Sequence, residues 1–172
     1  MLHRNFFPTG LVTKMLKDKK GIYQLLVYLS KTRKIKIGKK GTFTFLRGYY
    51  VYTGSAKKGL WQRIQRHLRK RKKLFWHIDY LLEHAQIIDI FAYPDKKRGE
   101  CRENQRLLKN PESRIIVPGF GSSDCSCPSH LIFFSQKPKF KKGGLRLTKT
   151  KGRLGYEKHA IFHRCQSGEI RL

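Results

Sequence analysis

The stretch GIYQLLVYLS, residues 21–30, is apolar on both of its alternating faces. Such a run reads as a strand in the middle of a sheet that is covered on both sides. Upstream, residues 1–19 form a basic leader with no apolar period. Downstream, KTRK turns the chain, and IKIG alternates as a second strand expected to pair back on the first. GYYVYTGS supplies a third strand ending at Gly54, with Tyr50 and Tyr52 on one face and Tyr49, Val51 and Thr53 on the other. Helical spacing begins at Leu60: Leu60, Ile64 and Leu68 make an apolar stripe, and Arg63 and His67 share the stripe beside it. FWHIDYLLEH predicts a second helix, IIDIFAYP a strand closed by Pro94, and RGECRENQRLLKN a third helix stopped at Asn110-Pro111. A loop rich in Gly, Ser and Cys, VPGFGSSDCSCPSH, leads to a short apolar run, LIFF. The fold class is therefore α/β, a small mixed or antiparallel sheet flanked by helices, over residues 20–135. Residues 136–172 carry 11 Lys/Arg against 2 Glu with little periodicity, and read as a basic tail, partly ordered at best.

The chain has 172 residues, 39 of them Lys or Arg against 11 Asp or Glu, for a net charge of +28. A surplus of that size repels itself unless a polyanion neutralises it, which points to nucleic acid. A basic ribosome-associated protein satisfies the charge equally well, so composition alone leaves both open. The first twenty residues lack the apolar segment of a signal peptide, and no stretch approaches the ~20 apolar residues of a membrane span. The expectation is a cytoplasmic protein. Cys101, Cys125, Cys127 and Cys165 would then sit in a reducing compartment where structural disulfides are disfavoured.

Three groups of residues have the chemistry to act on such a partner. If the first and third strands pair, Tyr23 and Tyr52 project from one face, although tyrosines are also ordinary strand residues. The segment 57–73, KKGLWQRIQRHLRKRKK, holds nine basic residues and no acid, among them Lys57, Lys58, Arg66 and Arg69 as phosphate contacts. Arg63 flanks the apolar stripe and should point to the sheet edge where the tyrosines end, in position to grip a phosphate bidentately. Glu100, at the start of a helix in an acid-poor chain, is either a residue complementing the helix dipole or a hard oxygen ligand for Mg²⁺ or Mn²⁺.

In this order and spacing, GIY at 21–23, YTG at 52–54, Arg63, His67 and Glu100 resemble the GIY-YIG nuclease signature. More narrowly, GYYVYTGSA, FWHIDYLL, Glu100-Cys101 and VPGFGSSDCSCPSHLIFF are similar to compact GIY-YIG-like domains found alone or attached to endonuclease III-type glycosylases. The resemblance implies an endonuclease that hydrolyses phosphodiester bonds in DNA with one divalent ion, Mg²⁺ or Mn²⁺, on structured or damaged substrates. It implies that Tyr23 activates water, Tyr52 positions the scissile phosphate, Arg63 stabilises the pentacovalent phosphate and Glu100 holds the ion. His67 would serve as acid, base or phosphate contact. The alternative on the same fold is a non-catalytic module binding DNA or RNA. The chain departs from the family where a late Asn is usual: here stand Ser122, Ser123 and Asp124, with Ser123 the expected substrate contact.

Two further clusters have competing readings. Cys125-x-Cys127-x-x-His130 has zinc-type ligands, but the spacing is not a standard one and Cys101 would have to complete the set. Buried small residues, four free thiols and no bound zinc are the expectation. His77 and Asp79, two apart on a helix, do not face each other, so separate structural roles are expected.

Overall fold

The 21–30 stretch does occupy the middle of a sheet. In a computed structural model that describes residues 9–95, 99–140, 144–150 and 153–158, Gly21–Leu29 is β1, and every residue but Tyr28 is buried. Gly48–Ala56 (β4) pairs antiparallel along one side of β1, and Gln86–Pro94 (β5) along the other. The full order among the described residues is β6-β4-β1-β5-β7-β8, all antiparallel, where β6 is Leu131–Phe134, β7 Leu145–Thr150 and β8 Arg153–Lys158. Period-two alternation then sorts β1 into two apolar surfaces. Tyr23, Leu25 and Val27 join Tyr50 and Tyr52 under helices α2 (Leu60–Leu68) and α3 (His77–Leu82). Leu26 joins Val51, Phe91, Ile132 and Phe134 under Leu107 and Leu108 of α4 (Glu100–Leu108). The architecture is α/β with an antiparallel sheet, as the periodicities predicted. No helix among the described residues is long and apolar enough to cross a membrane.

Three expectations are corrected. IKIG does not pair with β1. Its first three residues lie in β2 (Arg33–Ile37), which forms a separate hairpin with β3 (Gly41–Phe45), because β4 and β5 already occupy both edges of β1. GTFTF alternates as clearly as IKIG, and the hairpin turns Ile35, Ile37 and Phe45 onto the core. The leader is not irregular throughout: α1 spans Thr9–Leu16, Leu16 is fully buried, and the Lys19 and Lys20 carbonyls accept from the Leu60 and Asp95 N–H groups.

The sheet also does not end at Ser135. β7 adds to β5 and buries Leu145 and Leu147, while Arg146 forks onto the buried Asp89 at 3.0–3.1 Å. Lys137 lies 3.3 Å from the same carboxylate. An acid closed off in this way is destabilising without its partner. Arg146→Ala is therefore expected to cost about 2–3 kcal/mol in thermal or urea unfolding, with Lys137 softening the loss. An unchanged midpoint would show that the Arg146–Asp89 pair contributes nothing to the fold.

Candidate active site

Four elements deliver side chains to the end of the sheet where β1 begins and β4 finishes. β1 brings Tyr23, β4 brings Tyr52 and Ser55, α2 brings Arg63 and α4 brings Glu100; together they line a cleft of about 570 Å³. α4 packs on the face opposite α2, yet its first residue reaches around the sheet end into the cleft. Tyr23 and Tyr52 share a face, with ring centroids 6.3 Å apart. Tyr23 stands across the ladder from Gly54, where a Cβ would come within 2.5 Å of the phenol oxygen. Glycine at position 54 is what lets the ring lie there.

His67 does not line the cleft. It is buried behind Tyr23, its Nε2 2.8 Å from the phenol oxygen. Burial, and then the Lys72 ammonium, push its pKa down to about 3. Burial also drives Tyr23 well above the usual phenol value, with Tyr52 adding to the rise, and takes Tyr52 to about 12. All three groups are uncharged at neutral pH. His67 Nδ1 is buried without a partner, and a bare lone pair there costs less than an orphaned N–H. The pattern of partners thus assigns the proton to Nε2, donated to Tyr23. His67 lies behind the Tyr23 phenol and outside the cleft lining, which removes phosphate contact from its expected roles.

The basic residues of 57–73 divide sharply. Lys57 and Lys58 are exposed at the rim of the cleft. The Arg63 guanidinium sits 4.1 Å from the Trp76 ring centroid, facing the cleft, with no ion-pair partner among the described residues. Arg66 also rests on Trp76, at 3.9 Å, but both of its terminal nitrogens bind Asp79, at 2.8 and 2.9 Å. Arg66 is therefore a structural residue and not the free phosphate contact expected of it. Arg69 is exposed at the end of α2 and lines a different groove, outside the cleft.

On the far wall, burial works to raise the Glu100 carboxyl. Its own N–H and that of Gly99, the Ser55 hydroxyl and nearby His130 outweigh this and hold it below the usual carboxylate range. Ser123 and Asp124 sit exposed on the rim, at the place expected for Ser123. Next to Glu100, Cys101 closes a group with Cys125, Cys127 and His130 whose ligand atoms all lie within 4.8 Å of one another. His77 and Asp79 are separate, as expected: His77 Nδ1 accepts the Gly121 N–H at 3.1 Å, while Asp79 binds Arg66. The sequence did not single out Phe75, Trp76, His77 or Ser55 as cleft residues. The adjacent aromatics Phe75 and Trp76 before a helix were the available signal.

The model of the family described as "Domain of unknown function DUF123" matches residues 22–152. The chain belongs to the DUF123 family. No curated protein and no solved structure matches it. The DUF123 match takes in every cleft residue, and it runs past Ser135 through β7, in agreement with the strand's place in the sheet.

Proposed function

We propose that this DUF123 domain is an endonuclease of the GIY-YIG type, hydrolysing phosphodiester bonds in branched, flapped or damaged DNA. The observation that carries the proposal is the convergence of Tyr23, Tyr52, Arg63 and Glu100, from four separate elements, on one cleft rimmed by lysines. A carboxylate held in its ionised form in a cleft with room for water suits Mg²⁺ or Mn²⁺, which take one or two protein carboxylates and keep much of their hydration. Glu100 would hold the ion, with Asp124 a further carboxylate on the rim of the same cleft. Bound there, the ion would supply Lewis acidity to the scissile phosphate and ease deprotonation of an attacking water.

The chain's own residues do the rest. Lys57 and Lys58 draw the backbone to the rim. Arg63, held over the Trp76 ring with no ion-pair partner among the described residues, meets the charge that develops on the pentacovalent phosphate. Tyr52 and Tyr23 position the phosphate and water, and the His67 N–H fixes the rotation of the Tyr23 phenol. His67 is a positioning residue, since burial makes its cation too costly for it to be the final base.

Phe75 adds a reason to favour substrates with unpaired bases. It is 73% exposed at the cleft and meets Trp76 edge-on at 5.7 Å. Exposed aromatics beside basic rims stack single-stranded bases, worth about 1–3 kcal/mol per base. Phe75→Ala is expected to weaken flap-DNA binding by about that amount and blunt-duplex binding much less, with no change in stability. Equal weakening on both would remove the stacking role. The function itself is tested by incubating the full chain with duplex, flap and branched DNA plus Mg²⁺ or Mn²⁺. Metal-dependent cuts are expected on at least the flap or branched forms.

A further inference from the structure

We infer that Cys101, Cys125, Cys127 and His130 form a structural zinc site that fastens the 119–130 loop to α4. Cys101 comes from the first turn of α4, Cys125 and Cys127 from the loop, and His130 from the residue before β6. The Cys101 and Cys125 sulfurs lie 3.7 and 3.4 Å from the same His130 Nε2. In a tetrahedral site with Zn–S of about 2.3 Å and Zn–N of about 2.0–2.1 Å, a sulfur-to-nitrogen edge is about 3.6 Å long. The two observed edges bracket that length.

Hydrogen bonding does not account for the group. A ring nitrogen has one bonding direction, so the Cys101 and Cys125 thiols compete for the same Nε2, and the Cys127 thiol is turned onto those two sulfurs. A metal at the centre satisfies all four ligands at once. All four ligand atoms fall within 4.8 Å of one another, which fits a single ion; ligands of an iron–sulfur cluster sit on separate irons and stand further apart. Thiolates with one imidazole favour zinc over Mg²⁺ or Mn²⁺, and a closed set of four protein ligands marks a structural ion. Cys127 and His130 are 8% and 4% exposed.

The frame that holds the ligands is already in place. The His130 N–H donates to the Phe120 carbonyl at 2.8 Å, and the His130 carbonyl accepts from the Thr53 N–H at 3.0 Å. One turn along α4 from Cys101, the buried Asn104 amide donates to the Ser129 carbonyl. The consequence is local to the cleft. Glu100 adjoins Cys101, Asp124 adjoins Cys125 and His130 itself lines the wall, so the ion would fix the spacing of that wall. The earlier expectation of four free thiols rested on sequence spacing, which does not show that Cys101 arrives from another element.

The site does not depend on the nuclease proposal, and its test reads metal and thiols instead of cleavage. The full chain, purified without chelator from zinc-supplemented cells, is expected to hold one zinc per chain by elemental analysis. Exchange into cobalt should give the visible bands and sulfur charge transfer of a tetrahedral thiolate site. Three thiols should be protected from a thiol reagent until a chelator and denaturant are added. Cys127→Ser should lower zinc content at least tenfold, while Cys165→Ser and Glu100→Gln should keep one zinc. Iron in place of zinc, a wild-type chain that binds neither zinc nor cobalt, a disulfide among the three cysteines, or full zinc retention in Cys127→Ser would each overturn the inference. Because the stoichiometry and cobalt spectrum are read on the wild type, misfolding of the serine variant leaves the test intact.

Discussion

Glu100→Ala is expected to lower metal-dependent cleavage by on the order of a thousandfold or more while leaving DNA affinity unchanged or slightly raised. The cleft offers one half-buried carboxylate as ion ligand, and its removal takes the ion's anchor without touching the lysine rim or Arg63. Affinity should not fall, because deleting one acid from a chain of net charge +28 favours a polyanion. Arg63→Ala should behave differently. It loses both rate and affinity, more in rate, because its cation acts chiefly on charge that grows in the transition state. The checks are single-turnover cleavage of flap and branched DNA and a separate binding titration for each variant. A wild type that cuts no substrate with Mg²⁺ or Mn²⁺, with both variants weakened equally in binding, would make the domain a non-catalytic nucleic-acid-binding module.

Asp79→Ala carries the largest expected effect on stability, about 3–5 kcal/mol. Asp79 is fully buried and accepts from two Arg66 nitrogens and from the Phe75 and Trp76 N–H groups at 2.8–3.1 Å. The Lys72 ammonium lies 3.6 Å away. Truncation strands Arg66 and two backbone donors, and it unseats Trp76, the surface on which Arg63 lies. The same contacts set a pH dependence. Burial alone would raise the Asp79 carboxyl, but the bonds from Arg66, Trp76 and Phe75 hold it below its ordinary value. With the folded pKa depressed, the stabilisation is complete above the ordinary Asp value of about 3.9 and is lost as pH falls toward the folded pKa. Wild-type stability should therefore drop on acidification in that window, and the Asp79→Ala protein should lose less there. Parallel acid-unfolding curves for the two proteins would exclude Asp79 as the group responsible.

That Gly21–Leu29 lies in the covered centre of a sheet is legible from its residues alone, because a strand with no polar face has no side to give to water. Strand alternation put Tyr23 and Tyr52 on one face on condition that their strands pair, which the β1–β4 ladder supplies, and four-residue spacing put Arg63 beside the buried stripe of α2. These are directions, set by local backbone geometry, and period and composition are enough to read them. Tertiary structure decided how far each side chain is from its partners. It buried His67 behind Tyr23, gave Arg66 to Asp79 while leaving Arg63 open, and turned IKIG away from β1 because β4 and β5 already filled both edges. It also brought Glu100 around the sheet end to the tyrosines and Cys101 to three ligands more than twenty residues along the chain. Each of these is a choice among chemically equivalent neighbours, made by long-range packing and by competition for buried partners.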